Sequence, residues 1–597
     1  MRLFCAFMAV FASIQAIGQE TVILGAGSEQ HIEVLTSSDF QPPQWDNVAT
    51  GQKTIDGAGL EGDLVDASRF LSQATFGGDL QLIDQVVDVG ISEWLDMQLA
   101  APETSLLEEL HDVYNEVIEW NLMNGVDSAD INFVHPYWNN FNYAWWTLNM
   151  TNEDKVRQRV AYALSQIMVI SVNSDLSSHS YGLASYYDVL ASNALGNYRD
   201  LLLGVTLHPC MGFYLSHLNN PRADEEENVH PDENYAREIQ QLFSIGLHEL
   251  NEDGSKKLDN DGNEIPTYGQ DEIKEFAKIF TGLGVADVIP NMYLDTAEFG
   301  VGIYLGDLTK PMRMYEEWHE PGEKKLLNDF VVPAGQSGMK DVEDAIDNLV
   351  NHPNVGPFLG RRLIQQLVTS NPSPAYITRV TRVFNDNGNG VRGDLKAVVR
   401  AILMDTEART CEALSRPDHG KLREPFTRYV HFVSALDVEQ FYGRYWNVGW
   451  SFYQSTGQVP LAAIHVFNFY LPDYKPVGPI GDEGLYAPEF QIHNSRTGVS
   501  YINEVNAWAI WNSVMNSWEP EDPNAIINVE DLKSLAADPE VLVNRLDVLF
   551  THGMLSDRTR NVIKNAIEPL IFGDYRNERV RMALYLMMIS PDYNIIK

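Results

Sequence analysis

The sequence predicts a mainly α-helical protein that forms one large multi-helix domain, with a small β-hairpin and long, ordered, aromatic-rich loops. Apolar residues recur at helical spacing through most of the chain after residue 64. The hydrophobic fraction, 44% of 597 residues, is normal for a globular protein. No fixed-period repeat and no low-complexity linker is present. We therefore expect a single helical domain over residues 61–597 rather than a string of modules.

The start of the chain has the pattern of a secretory signal. Arg2 precedes an apolar run that is shorter than the roughly 20 residues needed to span a bilayer. The small residues Ala16 and Gly18 suit cleavage after Gly18. We therefore expect residues 1–18 to be removed and residues 19–60 to form an N-terminal extension that begins with a short strand. The mature protein would be periplasmic, cell-surface or extracellular, without membrane insertion.

Seven later stretches have the apolar spacing of amphipathic helices. They lie near residues 64–71, 82–87, 154–169, 271–280, 357–368, 394–404 and 578–589. Residues 254–268 have the pattern of a β-hairpin with its turn at residues 260–263. Residues 440–500 are rich in aromatics, Pro and Gly, and they predict an ordered loop region that buries its large rings. Those rings belong to Trp446, Trp450, Phe467, Phe469 and Tyr470.

Composition and motifs exclude several functional classes. Asp and Glu number 83 against 42 Lys and Arg, for a net charge of −41. Such a chain repels nucleic acid phosphate and anionic lipid, so we expect no nucleic-acid partner. The sequence has no GxSxG elbow, no P-loop and no dinucleotide fingerprint. These absences argue against a serine hydrolase of the usual fold, a nucleotide enzyme and a Rossmann oxidoreductase.

One predicted helix carries polar residues where apolar ones are expected. Asp232 can cap this helix and Gly246 can end it. At about 100° per residue, Glu238 falls inside the apolar stripe and Asn234 lies at its edge. Arg237 falls on the opposite face, where it can pair with the glutamate four residues earlier. A carboxylate on a buried stripe needs a partner, or its pKa rises and it can act as an acid or base.

The helix at 154–169 offers that carboxylate a partner. Arg157 lies among its apolar positions, and we expect Arg157 and Glu238 to meet across a helix–helix contact. Such a pair either fixes the packing of two helices or forms a catalytic centre with Asn234. Both alternatives stay open from the sequence.

Histidines and turn-like loops supply further candidates. His208 and His230 are candidate binding residues, and with Glu238 and two other histidines, His248 and His319, they could form a metal site. No zinc motif such as HExxH is present, so the metal stays unknown. Residues 385–396 resemble a calcium loop whose twelfth position is Lys396 instead of Glu, and residues 259–263 are equally incomplete. Weak calcium binding is therefore open.

Several stretches together resemble the bacterial domain-of-unknown-function 1800 family. They are Ala67–Gly77, Arg157–Gln166, Tyr187–Pro209, Glu233–Glu238 with Gly246, Thr281–Gly282, Val391–Leu395, Lys421–Pro425, Val466–Phe469, Pro488–Phe490 and Ser590–Tyr593. Their number and order, from about residue 64 to the C-terminal end, make the resemblance specific. It implies an exported bacterial protein with no agreed activity. It also implies a neighbouring exported partner related to phosphatases and sulfatases.

Two functional classes follow from these observations. The first is an exported enzyme, a hydrolase acting on extracellular polymer, with its polar centre around Arg157, Asn234 and Glu238. The second is a non-catalytic binding or assembly protein that works with another exported enzyme. A cleft that converges on Glu238 would favour the enzyme, and a sealed ion pair would favour the second class.

Overall fold

The computed structural model describes residues 19–24, 32–37, 60, 62–127, 138–289, 294–436, 438–439, 450–512 and 526–597. Contacts divide the chain into a unit of residues 1–48 and a unit of residues 49–597. The first unit contains two antiparallel strands, β1 (Gln19–Leu24) and β2 (Ile32–Ser37). The predicted signal segment, residues 1–18, lies outside the described residues.

The larger unit is mainly α-helical, as the sequence predicts. Its first helices are α1 (Gly62–Ala74), α2 (Leu80–Val89), α3 (Ile91–Gln98), α4 (Leu106–Met123), α5 (Trp138–Thr151), α6 (Lys155–Ser165), α7 (Ser180–Asn193), α8 (Tyr198–Leu207), α9 (Pro209–Tyr214), α10 (Asn234–Glu238) and α11 (Gln270–Ile279). The next are α12 (Gly338–Val350), α13 (Val355–Leu367), α14 (Pro374–Asn385), α15 (Leu395–Leu403), α16 (Thr406–Arg409), α17 (Cys411–Leu414) and α18 (Pro425–Ala435). The last are α19 (Trp450–Thr456), α20 (Pro479–Asp482), α21 (Ser495–Val505), α22 (Glu530–Leu535), α23 (Pro539–Leu546), α24 (Asp557–Ile567), α25 (Tyr575–Met588) and α26 (Pro591–Asn594).

Short helical turns of other kinds extend or join these helices. Single turns of 3-10 helix occur at Asp175–Ser178, Glu316–Trp318, Leu327–Asp329 and Pro488–Gln491. Turns of π-helix occur at Ile239–Ser244, Asn506–Ile510 and Asp547–Thr551, where they continue α10, α21 and α23. A π-turn adds a residue to each turn and therefore changes which side chains share a face.

The strands that the structure describes in the larger unit form two-stranded antiparallel pairs. They are β3 (Leu283–Gly284) with β4 (Arg313–Met314), β5 (Lys324–Lys325) with β6 (Val331–Val332), β7 (Lys421–Leu422) with β10 (Ile595–Ile596), and β8 (Val438–Glu439) with β9 (Ile526–Ile527). The predicted hairpin is present as isolated bridges. Leu258 pairs with Glu264, and the Asp259 amide donates to the Asn263 carbonyl at 2.8 Å to close the turn.

A continuous hydrophobic core runs from α1 to α26, and α18 lies within it. Helix α18 is buried over nearly its whole length. The ring of Phe426 stacks on that of Tyr162 with centroids 4.7 Å apart and planes at 13°. Trp145 and Trp146 contact the same phenylalanine ring. Such aromatic contacts hold α18 against α5 and α6 in fixed positions.

The aromatic-rich loops bury some of their rings, as predicted, and expose another. Phe469 and Tyr470 are buried and form a small second cluster with Val169 and Ala463. Phe467 is 39% exposed, so the prediction that it is buried is wrong. It lines a cleft instead of packing in the core. Trp446 and the side chain of Trp450 lie outside the described residues.

In the described ranges, none of the helices combines the length and the apolar character that crossing a membrane would require.

Candidate functional site

Arg157 is held by groups other than the predicted glutamate. Its side chain is 12% exposed, and its Nε lies 3.4 Å from Oδ2 of Asp154. Its two terminal nitrogens donate to the carbonyls of Ala101 and Ala191. Within the residues that the structure describes, Arg157 and Glu238 form no ion pair. Wheel geometry placed the arginine on a part-buried face but did not identify its partner, because Asp154 and two backbone carbonyls hold it.

Glu238 is buried and forms no ion pair with any residue that the structure describes. Its Oε2 has no hydrogen-bond partner in the described part of the chain, and burial raises the pKa of its carboxyl. Asn234 is exposed, and its backbone N–H donates to Oδ1 of Asp232. Arg237 pairs with Glu233 at 3.5 Å, as the i, i+4 spacing predicts. The π-turn that follows Glu238 departs from the uniform 100° per residue on which the prediction relied.

The two predicted binding histidines have different surroundings. His208 is 3% exposed, and its Nδ1 accepts the amide of Cys210 at 3.2 Å, so it caps α9. Burial lowers the pKa of His208 to about 3, which keeps the ring neutral. His230 is exposed in the loop before α10.

The candidate histidine metal site and the two calcium-like loops have the following structures. No group of three or more His, Cys, Asp or Glu side chains in the described ranges is placed to hold a metal ion. In the 385–396 loop, Oδ1 of Asp386 accepts the amides of Gly388 and Gly390. In the hairpin, Oδ1 of Asp259 accepts two backbone amides in the same way. Both loops are turns stabilised by aspartate side chains.

A cleft of about 440 Å³ lies beside α13 in the larger unit. Its walls come from the end of α6, the π-turn after α10, the hairpin, α13 and the loops at 466–473 and 486–489. Helix α13 contributes Phe358, Arg361, Arg362 and Gln365, whose i, i+3, i+4, i+7 spacing places them on one face. Glu238 is not among the lining residues, although the next turn of its helix is.

A buried carboxylate, Glu424, lies behind the floor of this cleft. It is 1% exposed, and a single oxygen, Oε1, accepts all of its hydrogen bonds. The donors are Tyr162 at 3.3 Å, Gln166 at 2.9 Å, Gln458 at 2.5 Å and Tyr470 at 2.7 Å. Its other oxygen is buried without a partner among the described residues. Gln166 and Tyr470 also line the cleft, so they connect Glu424 to it.

A second buried carboxylate, Glu489, lines the cleft itself. Its Oε1 lies 2.9 Å from Nζ of Lys421, and both side chains are 2% exposed. The lysine also donates to the carbonyls of Gln365 and Gln366, so all three of its hydrogens are used. Burial raises the pKa of Glu489, Lys421 opposes this rise and the Glu424 carboxylate adds to it. Oε2 of Glu489 has no partner in the described chain.

A buried arginine completes this cluster. Arg159 is 3% exposed, and one terminal nitrogen donates to the carbonyl of Gln366. Its guanidinium lies 5.6 Å from the ring centre of Phe76 and 5.7 Å from that of Tyr162. Burial lowers its pKa, and the charge of Glu424 acts in the opposite direction. The cluster therefore places two carboxylates, a lysine and an arginine in a region of low polarity, where electrostatic interactions are strong.

Two neighbouring arginines lie at the rim. The guanidinium centre of Arg361 is 4.9 Å from the ring centre of Tyr486, and that of Arg362 is 5.3 Å from that of Phe358. Arg362 also donates to Oε1 of Gln365 at 3.2 Å. Among the described residues, neither arginine forms an ion pair. Burial lowers the pKa of Arg362 to about 10, and the charge of Arg361 contributes.

The cleft therefore combines groups for binding with a group for proton transfer. The rim guanidiniums can bind an anion, and the part-buried side-chain amide of Gln241 can bind hydroxyl or carbonyl groups. A carboxyl whose pKa is raised by burial can donate and accept a proton near neutral pH. Glu489 is the cleft-lining residue with this property.

The sequence did not predict Glu424 or Glu489 as site residues, although both lie in stretches that resemble the family. Each is an acidic residue next to a proline, in Glu424-Pro425 and Pro488-Glu489. Helical periodicity could not find them, because Glu424 lies at the N-cap position before α18 and Glu489 lies in a 3-10 turn. The usable signal was a lone acidic residue inside a largely apolar, aromatic-rich segment.

Stretches that carried the resemblance meet at this cluster. Arg157–Gln166 supplies Arg159 and Gln166, Lys421–Pro425 supplies Lys421 and Glu424, and Pro488–Phe490 supplies Glu489. Comparisons with curated proteins and with solved structures give no significant match. The family described as "Protein of unknown function (DUF1800)" matches residues 69–595, which is most of the chain. The chain therefore belongs to the DUF1800 family.

Proposed function

We propose that this protein is an exported hydrolase that acts on an extracellular polymer, with Glu489 as its general acid. The observation that carries the proposal is the position of Glu489. It is a buried carboxylate on the floor of a cleft, with one oxygen held by Lys421 and the other without a partner in the described chain. A titratable group with a pKa shifted by burial, placed in a cleft, is a frequent property of active sites.

The proposed chemistry needs only this chain and water. Glu489 gives its proton to the leaving atom of the linkage as that bond breaks. Water adds to the carbon side of the linkage, and its remaining proton returns to the Glu489 carboxylate. Lys421 holds one carboxylate oxygen, so the other, which is buried without a partner in the described chain, is the one left to transfer the proton. Arg157, Asn234 and Glu238 are not needed for this step.

The test is hydrolysis of a panel of polysaccharides and polypeptides by the mature protein, followed as new reducing ends and new amines. We expect Glu489→Gln to lower kcat by about 100-fold or more, because general acid–base catalysis typically contributes that much. Glu504→Gln is the matched control. Glu504 is a part-buried glutamate whose pKa is also raised by burial, and it does not line the cleft. Full activity in Glu489→Gln would contradict the proposal, and loss in Glu238→Gln instead would move the centre to Glu238.

Export has its own test. If the signal segment is cleaved after Gly18, the secreted protein should begin at Gln19 when its N-terminus is sequenced. A cytoplasmic protein that keeps Met1 would contradict export without bearing on the hydrolysis assay.

A second candidate function is non-catalytic binding together with another exported protein, such as a phosphatase- or sulfatase-like partner. Exposed apolar side chains at the cleft favour it, since Leu247, Phe467 and Leu471 are 50%, 39% and 38% exposed. Binding of a polymer without turnover, equal in wild type and Glu489→Gln, would select this alternative.

A further inference from the structure

We propose that the cleft recognises an acidic carbohydrate, a polymer with carboxylate or sulfate groups on its sugars, through Arg361 and Arg362. This inference deepens the proposed function, because it names the substrate class of the same cleft. It rests on the position of the two arginines, on the side chains around them and on the charge of the rest of the chain.

The two guanidiniums are placed to receive an external anion. They are adjacent in sequence, lie part-buried in one cleft, and rest on the rings of Tyr486 and Phe358. A guanidinium over a ring keeps its N–H groups at the edge, and the edge of Arg362 already gives one of its hydrogens to Gln365. That edge matches the two oxygens of a carboxylate or sulfate in a bidentate contact.

The electrostatic state of the pair favours an anion in the cleft. Both charges are partly removed from water, and they repel each other. Burial lowers the pKa of Arg362 to about 10, Arg361 adds to this shift, and Asp473 opposes it from the same cleft. A bound anion would stabilise both guanidiniums at once. The protein as a whole carries a charge of −41, so an acidic polymer needs a local positive site of this kind.

The remaining lining favours a sugar as the carrier of the anionic group. The part-buried side-chain amide of Gln241 lines the cleft and can donate to and accept from hydroxyl groups, whereas those of Gln166 and Asn468 are bonded to each other and to Glu424. The ring of Phe467, 39% exposed, offers a flat apolar face to the C–H face of a sugar ring. Asp473 and Glu489 would repel closely spaced charges. A polysaccharide whose acid groups are separated by sugar rings therefore fits this combination of positive, negative and apolar lining residues better than an acidic peptide does.

The experiment is calorimetric titration of the Glu489→Gln protein, which removes the proposed general acid. The ligands are tetragalacturonate, a sulfated galactan tetrasaccharide, a neutral galactan tetrasaccharide and tetraglutamate. We expect at least one acidic tetrasaccharide to bind, and Arg361→Gln and Arg362→Gln each to weaken that binding about tenfold or more. The acidic sugar that binds more tightly identifies the anionic group. Arg576→Gln is the control, since Arg576 is an exposed arginine 5.9 Å from the ring of Tyr575.

Three results would overturn the inference. They are no binding of either acidic sugar, equal affinity for the neutral sugar, and binding unchanged by both arginine substitutions. Tetraglutamate binding with the same arginine dependence would replace the carbohydrate by an acidic peptide. These outcomes are separate from the hydrolysis test. Glu489→Gln with normal turnover would contradict the proposed function and leave arginine-dependent binding intact.

Discussion

The floor and the rim of the cleft hold their charges in opposite ways. At the floor, Lys421 and Glu489 are both 2% exposed and lie 2.9 Å apart, and backbone carbonyls use the other two lysine hydrogens. At the rim, Arg361 and Arg362 are part-buried, rest on aromatic rings and form no ion pair in the described chain. The protein thus pairs Lys421 with Glu489 at the floor and leaves the two rim arginines without an ion pair among its described residues.

The largest effect should come from removing the cation of the floor. Lys421→Met leaves Glu489 buried without its ion pair, and we expect a loss of about 3–5 kcal/mol in the free energy of unfolding. Urea unfolding at pH 7 measures it. The double variant Lys421→Met/Glu489→Gln should regain a large part of the loss, because position 489 then carries no buried charge that has lost its ion pair. A loss below about 1 kcal/mol in the single variant would mean that the protein tolerates an unpaired Glu489 at the floor, as it tolerates the unpaired arginines at the rim.

A smaller effect is expected at Glu238, a buried carboxylate that forms no ion pair among the described residues and feels the charge of Arg237 only as a smaller, opposing influence. Glu238→Gln should raise the free energy of unfolding by up to about 1 kcal/mol at pH 7. The sign follows from its raised pKa. Because the folded state binds this proton more tightly, wild-type stability falls as pH rises from the ordinary value, about 4.3, through the folded-state pKa. The gain should therefore vanish below about pH 4, and a destabilised variant would reveal a partner that holds the charge.

The smallest effect is expected at the rim. Arg361→Gln/Arg362→Gln should change the free energy of unfolding by no more than about 0.5 kcal/mol without ligand, since no carboxylate loses a partner. Arg379→Gln is the control, because Arg379 pairs with Asp405 at 2.7 Å and Glu407 at 3.1 Å. That substitution should cost about 1 kcal/mol, as expected for a part-exposed pair. A larger loss at the rim than at Arg379 would give the cleft arginines a structural role.

Local sequence rules predicted local features correctly. The helical period located α11, α13, α15 and α25 to within a few residues, because an amphipathic stripe is a property of neighbouring turns. The pairing of Arg237 with Glu233 has the same local origin. Gly246 has a φ of +73°, and a glycine suits that conformation at the end of the helix.

The site could not be predicted in the same way because its contacts are distant in sequence. Glu424 receives hydrogen bonds from residues 162, 166, 458 and 470, and no local period relates these positions. Arg157 and Arg159 illustrate the limit within one helix. The wheel singled out Arg157, yet it is Arg159, two residues later, that belongs to the cluster beside the cleft. Helical periodicity shows which face of a helix is buried, but it does not show which residues of other elements contact that face.

The strand that carries Lys421 has a consequence for how the protein acquires its cleft. Its partner in β7–β10 is Ile596, and the amide of Arg423 donates to the carbonyl of Asn594 at 2.7 Å. The chain between these partners must close a long loop before they meet, which makes the step entropically costly and slow. The floor of the cleft is therefore expected to form late in folding. Until residues 595–596 pair with residues 421–422, a folding intermediate would contain helices but would lack the completed floor of the cleft.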